Sequence, residues 1–298
     1  MDPTMETIAA LDSVSKRYGA VLALDRVSIQ VRRGEVLAVL GPNGAGKTTA
    51  ISLLLGLLQP DTGSAQVFGE APQSLAARRS IGAMLQTSGV PDSLCVGELI
   101  RLFRGYYPRP RSVADTVALA GVSDLLPRRY GTLSGGQQRR VQFALAICGN
   151  PQILFLDEPT TGLDVEARTT LWKTMRRLVA DGCAVVLTTH YLEEAEALAD
   201  RVDVLAKGRI VAAGSVQQIR ARVAQRRIRC ISKLASEAIS RWPEVRSVAR
   251  DGERIEIVTD SAETVVRQLL FEDCDLSELE VQRAGLAEAF VEITREAA

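Results

Sequence analysis

Hydrophobic and polar positions along this 298-residue chain follow two rhythms, and the change falls near residue 220. Upstream, short runs of almost unbroken apolar residues alternate with helical patterns. "EVLAVL" (Glu35–Leu40), "QILFLDE" (Gln152–Glu158) and "CAVVLTTH" (Cys183–His190) have the character of strands buried on both faces. "TTAISLLLGLL" and "EARTTLWKTMRRLVADG" read as helices between them. That alternation predicts an α/β core, a mainly parallel sheet covered by helices. The first thirty residues and "SAQVFGE" alternate more finely and predict an antiparallel β edge. Residues 91–130 hold no comparable strand. "VGELIRLFRGYY" and "SVADTVALAG" predict instead an inserted helical subdomain over about residues 88–150.

Downstream the units are smaller. "RRIRCIS" alternates, "LASEAIS" is helical, and "VRSVA" and "RIEIVT" flank "RDGE", whose Asp-Gly pair signals a hairpin. "AETVVRQLL" is helical, "LSELEVQ" alternates, and "LAEAFVEI" sets Leu286, Ala289, Phe290 and Ile293 on one helix face. The order β-α-β-β-α-β plus a last helix predicts a small ferredoxin-like α+β domain. Two domains result, residues 1–222 and 223–298, in keeping with about 150 residues per domain.

Composition narrows the function classes. Hydrophobic residues make up 46% and charged residues 24%, and the formal net charge is zero. No overall basic field points to nucleic acid, so none is expected as a partner. The five cysteines form no C-x-x-C pair. Cys148 and Cys183 lie in apolar segments and read as core residues of a protein in a reducing cytosol. The acidic N-terminus lacks the apolar core of a signal peptide. No stretch approaches the roughly 18 apolar residues of a membrane span. The chain is expected to be soluble by itself, which is compatible with docking onto a membrane protein. Its one histidine, His190, has no second histidine with which to share a metal.

"GPNGAGKTT" (Gly41, Pro42, Asn43, Gly44, Ala45, Gly46, Lys47, Thr48, Thr49) follows the first buried strand and opens a helix. G-x-x-x-x-G-K-[ST] in that setting is a phosphate cradle. Its glycines turn backbone N–H groups inward, and the helix N-terminus adds partial positive charge. Lys47 is placed for the β- and γ-phosphates and Thr48 for Mg²⁺. Lysine occurs at only five positions here, and a slim ammonium suits a cradle that a guanidinium fork would not fit. "ILFLDEP" ends a buried strand on Asp157, aimed at Mg²⁺, with Glu158 next to polarise a water. Adjacent acids at such a strand end are costly unless they face ions or water. "LSGGQQRR" (Leu133–Arg140) supplies a second anion-binding helix start.

With that segment the chain resembles the ATP-binding subunits of ABC transporters, whose signature reads LSGGQ. The resemblance covers residues 1 to about 220, with all motifs in order. It implies ATP as substrate and Mg²⁺ as cofactor. It implies that Tyr18 of "KRYG" stacks on adenine, and that Gln86 of "GAMLQTSG" reaches Mg²⁺ and the attacking water. Glu158 would be the catalytic carboxylate, Asp164 of "TTGLD" part of the loop crossing between subunits, and His190 the histidine contacting the γ-phosphate. Val165 departs from the proline common after GLD. Two nucleotide domains would meet head to tail, each ATP lying between the Lys47 loop of one chain and Ser134, Gly135, Gly136 and Gln137 of the other. One phosphate loop and one signature then require a second copy or a paralogue.

"LEVQRAGLAEAFVEITRE" (Leu279–Glu296) and "SLCVGELIRLFRGYY" resemble subunits of ABC-2-type exporters of the daunorubicin-resistance type. This implies a separate ABC-2-type integral membrane permease as partner and a place at the cytoplasmic face of a bacterial membrane. Three rivals remain. A soluble ABC ATPase acting on ribosomes or DNA usually fuses two nucleotide domains or inserts a long coiled coil. An importer subunit more often ends in other accessory folds. A GTPase would need an N-K-x-D motif, which is absent.

Overall fold

The computed structural model describes residues 6–86, 89–221, 226–283 and 285–296. The domain boundary expected at 222–223 and the helical-subdomain start near 88 lie outside the described residues. The chain divides into two compact units between Val216 and Gln217.

The first unit contains two sheets. The antiparallel edge consists of β1 (Thr7–Tyr18), β2 (Val21–Arg32) and β4 (Thr62–Val67) in the order β2-β1-β4. The central sheet contains β3 (Val36–Leu40), β5 (Ile81–Met84), β6 (Ile153–Asp157), β7 (Ala184–Thr189), β8 (Arg201–Ala206) and β9 (Arg209–Gly214). Its order is β5-β6-β7-β3-β8-β9, with all neighbours parallel except the β8–β9 hairpin. The hairpin turns on Lys207 and Gly208, with φ of 46° and 74°. Positive φ at both turn residues matches the right-handed strand twist.

The unbroken apolar runs follow from burial on both sheet faces. Leu37, Val39, Ile153, Phe155 and Val186 face a core shared with the antiparallel sheet and α1 (Lys47–Leu54). Val36, Leu154, Leu156, Val185 and Leu187 face the opposite way. They pack on the side occupied by α3 (Val96–Arg104), α4 (Val113–Ala120), α5 (Gly135–Ile147) and α6 (Val165–Ala180). Cys148 and Cys183 are buried free thiols, and burial pushes them up to about 11 and about 12.

Three helices are shorter than their sequence patterns predict, α3 ending at Arg104 before Gly105 instead of reaching Tyr107. α1 stops at Leu54 instead of reaching Leu58, because Gly56 turns the chain at φ 65°. A Cβ there would stand 2.8 Å from the backbone of Pro72 and Gln73. In the second unit α9 is confined to Ser236–Ile239, and Pro243 disfavours helical geometry at Trp242 before it.

That second unit has strands β10 (Arg226–Ile231), β11 (Val245–Asp251), β12 (Arg254–Thr259) and β13 (Ser277–Arg283), with α10 (Ala262–Glu272) and α11 (Leu286–Glu296). The sheet order β11-β12-β10-β13, antiparallel throughout, is the ferredoxin-like arrangement. Ile228, Cys230, Ile255 and Ile257 pack with Trp242, Val265 and Leu269 beneath its helices. Leu286, Ala289 and Ile293 of α11 are buried, as their spacing predicts.

Candidate functional site

The carboxyl ends of adjacent strands concentrate the chemistry. Leu40 of β3 is in register with Thr189 of β7, and Asp157 of β6 with Thr188 of β7. The phosphate loop, the Asp157–Glu158 pair and His190 therefore emerge along one rim of the sheet. Crevices outside the carboxyl ends of parallel strands are where open α/β sheets bind ligands. Gln86 joins the same rim two residues after β5, which pairs with β6, and it is exposed.

Gly41 and Gly46 are required by contact. A Cβ on Gly41 would meet Leu205 O at 2.3 Å, and one on Gly46, at φ 107°, would meet Ala23 O at 2.6 Å. Around Gly44, at φ 80°, nothing lies within 4 Å of such a Cβ, so this side of the loop is open. Pro42, Asn43 and Gly44 are exposed, while Ala45 is buried. Gly46 caps α1, whose helical bonding begins with Ala50 N donating to Gly46 O. The preceding amide groups stand at the helix start, where an anion is favoured. Lys47 is 7% exposed, and its Nζ donates to Gly41 O at 2.7 Å and Pro42 O at 3.1 Å. Burial lowers its pKa, opposed by Glu158 and Asp157.

Thr48 Oγ1 donates to Asp157 Oδ2 at 3.2 Å, and the Thr188 hydroxyl donates to Asp157 Oδ1. Thr48 and Asp157 thus present two hard oxygen ligands side by side, which suits Mg²⁺. Among the described residues no cluster of three or more His, Cys, Asp or Glu side chains would hold a metal. A Mg²⁺ ion at this pair would therefore need water or phosphate oxygens to complete its shell.

Glu158 adopts φ 50°, uncommon for a residue with a side chain, and its N–H is held by Thr188 O at 3.0 Å. His190 Nδ1 lies 2.9 Å from Glu158 Oε1, and Thr161 Oγ1 donates to Oε2 at 3.4 Å. Tyr18, at the end of β1, is 48% exposed.

The signature segment stands at the start of α5. Ser134 Oγ accepts from Gln137 N at 3.4 Å, and Gln137 Oε1 accepts from Ser134 N at 3.1 Å and Arg128 Nη1 at 3.2 Å. This capping box engages the Gln137 amide oxygen within its own chain, a role that the Ser-x-x-Gln spacing signals. Ser134 and Gly135 are exposed, and a Cβ on Gly136 would meet Gly162 O at 3.1 Å. The "TTGLD" loop is therefore a neighbour of the signature. Asp164 caps α6 through Ala167 N at 2.8 Å, and Val165 is exposed.

Two buried polar residues near the rim escape the sequence reading. Thr188 orients Asp157, and its signal was a polar residue ending an apolar strand. Glu194 on α7 (Leu192–Leu198) is buried, and Trp172 Nε1 donates to its Oε1 at 3.3 Å. Burial raises its pKa, opposed by the nearby Thr189, Trp172 and Thr160.

Fold and rim together define a P-loop nucleotide hydrolase with an added signature helix. Residues 24–161 match the ABC transporter family. The chain is 36% identical to the daunorubicin resistance ATP-binding protein DrrA3 of Streptomyces coeruleorubidus over 97% of its own length and 96% of that protein's. It is 40% identical to the Nod factor export ATP-binding protein I of Burkholderia thailandensis, over 70% of this chain and 72% of that one. Among solved structures, an ATP-binding subunit of an ABC transporter aligns with a TM-score of 0.67 at 29% identity, covering 72% of this chain and 93% of that one. A bacterial Atm1-family ABC exporter with ATP bound aligns at 0.65 and 26% identity, over 73% and 41%. The chain belongs to the ATP-binding subunits of ABC transporters and is an ATPase.

Proposed function

We propose that this ATPase drives an ABC-2-type exporter of a drug, lipid or other hydrophobic compound, working as a homodimer against a separate membrane permease at the cytoplasmic face of the membrane. The supporting observation is the extent of the likeness to the daunorubicin resistance protein, which includes the ferredoxin-like unit as well as the nucleotide-binding unit. Among the described residues no helix is long and apolar enough to cross a membrane.

In this reading the backbone amides of Gly41–Thr49 and Lys47 bind the phosphates, with Lys47 giving up its loop carbonyls for phosphate oxygens. Tyr18 stacks on the base. Glu158 holds the attacking water in line with the γ-phosphorus, and His190 fixes the Glu158 carboxylate while remaining exposed enough to meet the γ-phosphate. Mg²⁺, held by Thr48 and Asp157 with Gln86 nearby, would neutralise phosphate charge. Catalysis is then mainly positioning and electrostatic stabilisation. The helix start at Ser134, Gly135 and Gly136, exposed at its first two residues, is a second anion surface for the ATP of the partner copy, with the Asp164 loop beside it. ATP favours the closed pair, and hydrolysis removes that preference.

The test uses the full chain. Glu158→Gln with ATP should give dimers by size exclusion with light scattering, and adding Ser134→Arg should abolish them. Pull-down from native membranes should recover an integral membrane protein. A persistently monomeric Glu158→Gln chain, together with recovery of ribosomes or DNA instead, would overturn the proposal.

A further inference from the structure

A cleft of about 520 Å³ lies between α4 and α6, lined by Arg111, Asp115, Thr170, Lys173, Thr174 and Arg177, among others. It has no part in the nucleotide chemistry described above. Thr170, Lys173, Thr174 and Arg177 fall at helical spacing along one face of α6. Lys173 and Arg177 are like charges four residues apart, a pairing that destabilises a helix. Arg111 adds a third cation from the opposite wall. Its position is set by its backbone, since its N–H donates to Cys148 O at 2.9 Å and its carbonyl accepts from Arg104 Nε at 2.6 Å.

Among the described residues, no hydrogen bond or ion pair is made by the Arg111 or Arg177 guanidinium or by the Lys173 ammonium. The Arg111 Nε is fully buried without a partner. Acids and bases are equal in number in this chain, at 36 each, so unpaired cations are not a consequence of overall composition. Among the described lining residues Asp115 is the one carboxylate, and its Oδ2 accepts from Ser112 Oγ at 2.6 Å. Three cations, with Lys173 and Arg177 exposed, share this lining with a single described carboxylate, so the lining is net positive and favours an anion.

We propose that this cleft binds a soluble, multiply charged phosphorylated small molecule. Guanidinium groups take phosphate oxygens in bidentate geometry, and two arginines with a lysine suit more than one phosphate. Thr170 and Asp115 offer polar partners for hydroxyl groups on the same ligand. The volume lies within the range of small-molecule sites, about 300–1,000 Å³. Lining residues include Ala118 and Leu119 but no large exposed apolar side chain, which favours a soluble ligand over a lipid. The bound anion would join α4 of the helical subdomain to α6, the helix capped by Asp164.

The probe is fructose 1,6-bisphosphate, titrated calorimetrically into the full chain with the phosphate loop saturated by Mg-ADP. One saturable site per chain is expected, with a rise in melting temperature that sodium chloride at equal ionic strength does not reproduce. Lys173→Glu with Arg177→Glu should weaken binding at least tenfold and leave ADP affinity unchanged. Lys173→Gln with Arg177→Gln, a milder exposed change, should weaken it in the same direction. Absence of saturable binding to the ADP-loaded chain, or equal affinity in wild type and the glutamine variant, would overturn the proposal. Because ADP occupies the other phosphate site throughout, the result is independent of the exporter reading.

Discussion

His190 Nδ1 stands 2.9 Å from Glu158 Oε1, joining the residue after β7 to the residue after β6. The two strands are parallel neighbours in register, so the imidazole and carboxylate leave the sheet side by side. The His190 side chain keeps 43% of its surface exposed, against 13% for Glu158. One partner is thus anchored and the other still open to a phosphate.

Glu158→Gln should bind ATP with near-normal affinity and hydrolyse it about 10²–10⁴ times more slowly, the range for loss of a general base. Single-turnover hydrolysis alongside nucleotide binding checks this. Wild-type turnover in the variant would remove Glu158 from the reaction.

His190→Ala should reduce turnover severely while changing stability by no more than about 0.5 kcal/mol, as expected for an exposed side chain. Urea melts and ATPase assays on one preparation separate the two effects. Full activity in a strongly destabilised variant would show that the ring serves packing instead.

Tyr18→Ala should weaken ATP binding by roughly 1–3 kcal/mol, the scale of base–aromatic stacking, with a similar loss for GTP. The ring is half exposed at a strand end, so folding should be little affected. Unchanged nucleotide affinity would assign the ring to the sheet edge alone.

Asp203 lies 4% exposed on β8, 3.8 Å from Arg201 Nε, and burial pushes its pKa up to about 6, with Arg201 opposing and Glu35 adding. The folded state thus holds a proton that the unfolded chain releases near 3.8, so stability falls as pH rises between those values. Asp203→Asn removes that penalty. Its stability gain over wild type should grow between about pH 4 and pH 6 and then level off, reaching at most about 3 kcal/mol at 1.4 kcal/mol per pKa unit. Urea unfolding at pH 4 and pH 7.5 measures the difference. Equal differences at the two pH values would contradict the assignment.

Local pattern made much of this molecule legible. Buried strands were visible because both faces of the central sheet are covered, which leaves no polar alternation. The phosphate loop, the Asp157–Glu158 pair and the signature were visible because glycine, lysine and carboxylate chemistry is spaced along contiguous backbone. The ferredoxin-like unit followed from its alternation of short strands and helices. β5 and the β8–β9 hairpin were not identified, although Lys207-Gly208 offered a turn signal. β5 is only four residues long, too short for periodicity to separate it from a loop.

What sequence alone determined is therefore the set of chemical groups and the elements that carry them. Tertiary structure decided which groups meet. Parallel strands are registered through long crossovers, so their pairing is not encoded in any one segment. That register puts Thr188 on Asp157 and His190 on Glu158, each pair about thirty residues apart in sequence. It also brings Glu35 within 3.1 Å of Arg201, 166 positions away, and packing sets Arg111 opposite Lys173 and Arg177. The physical reason is that apolar burial on both sheet faces selects the strand order, and the charged groups at the strand and helix ends must accept the neighbours that this order imposes.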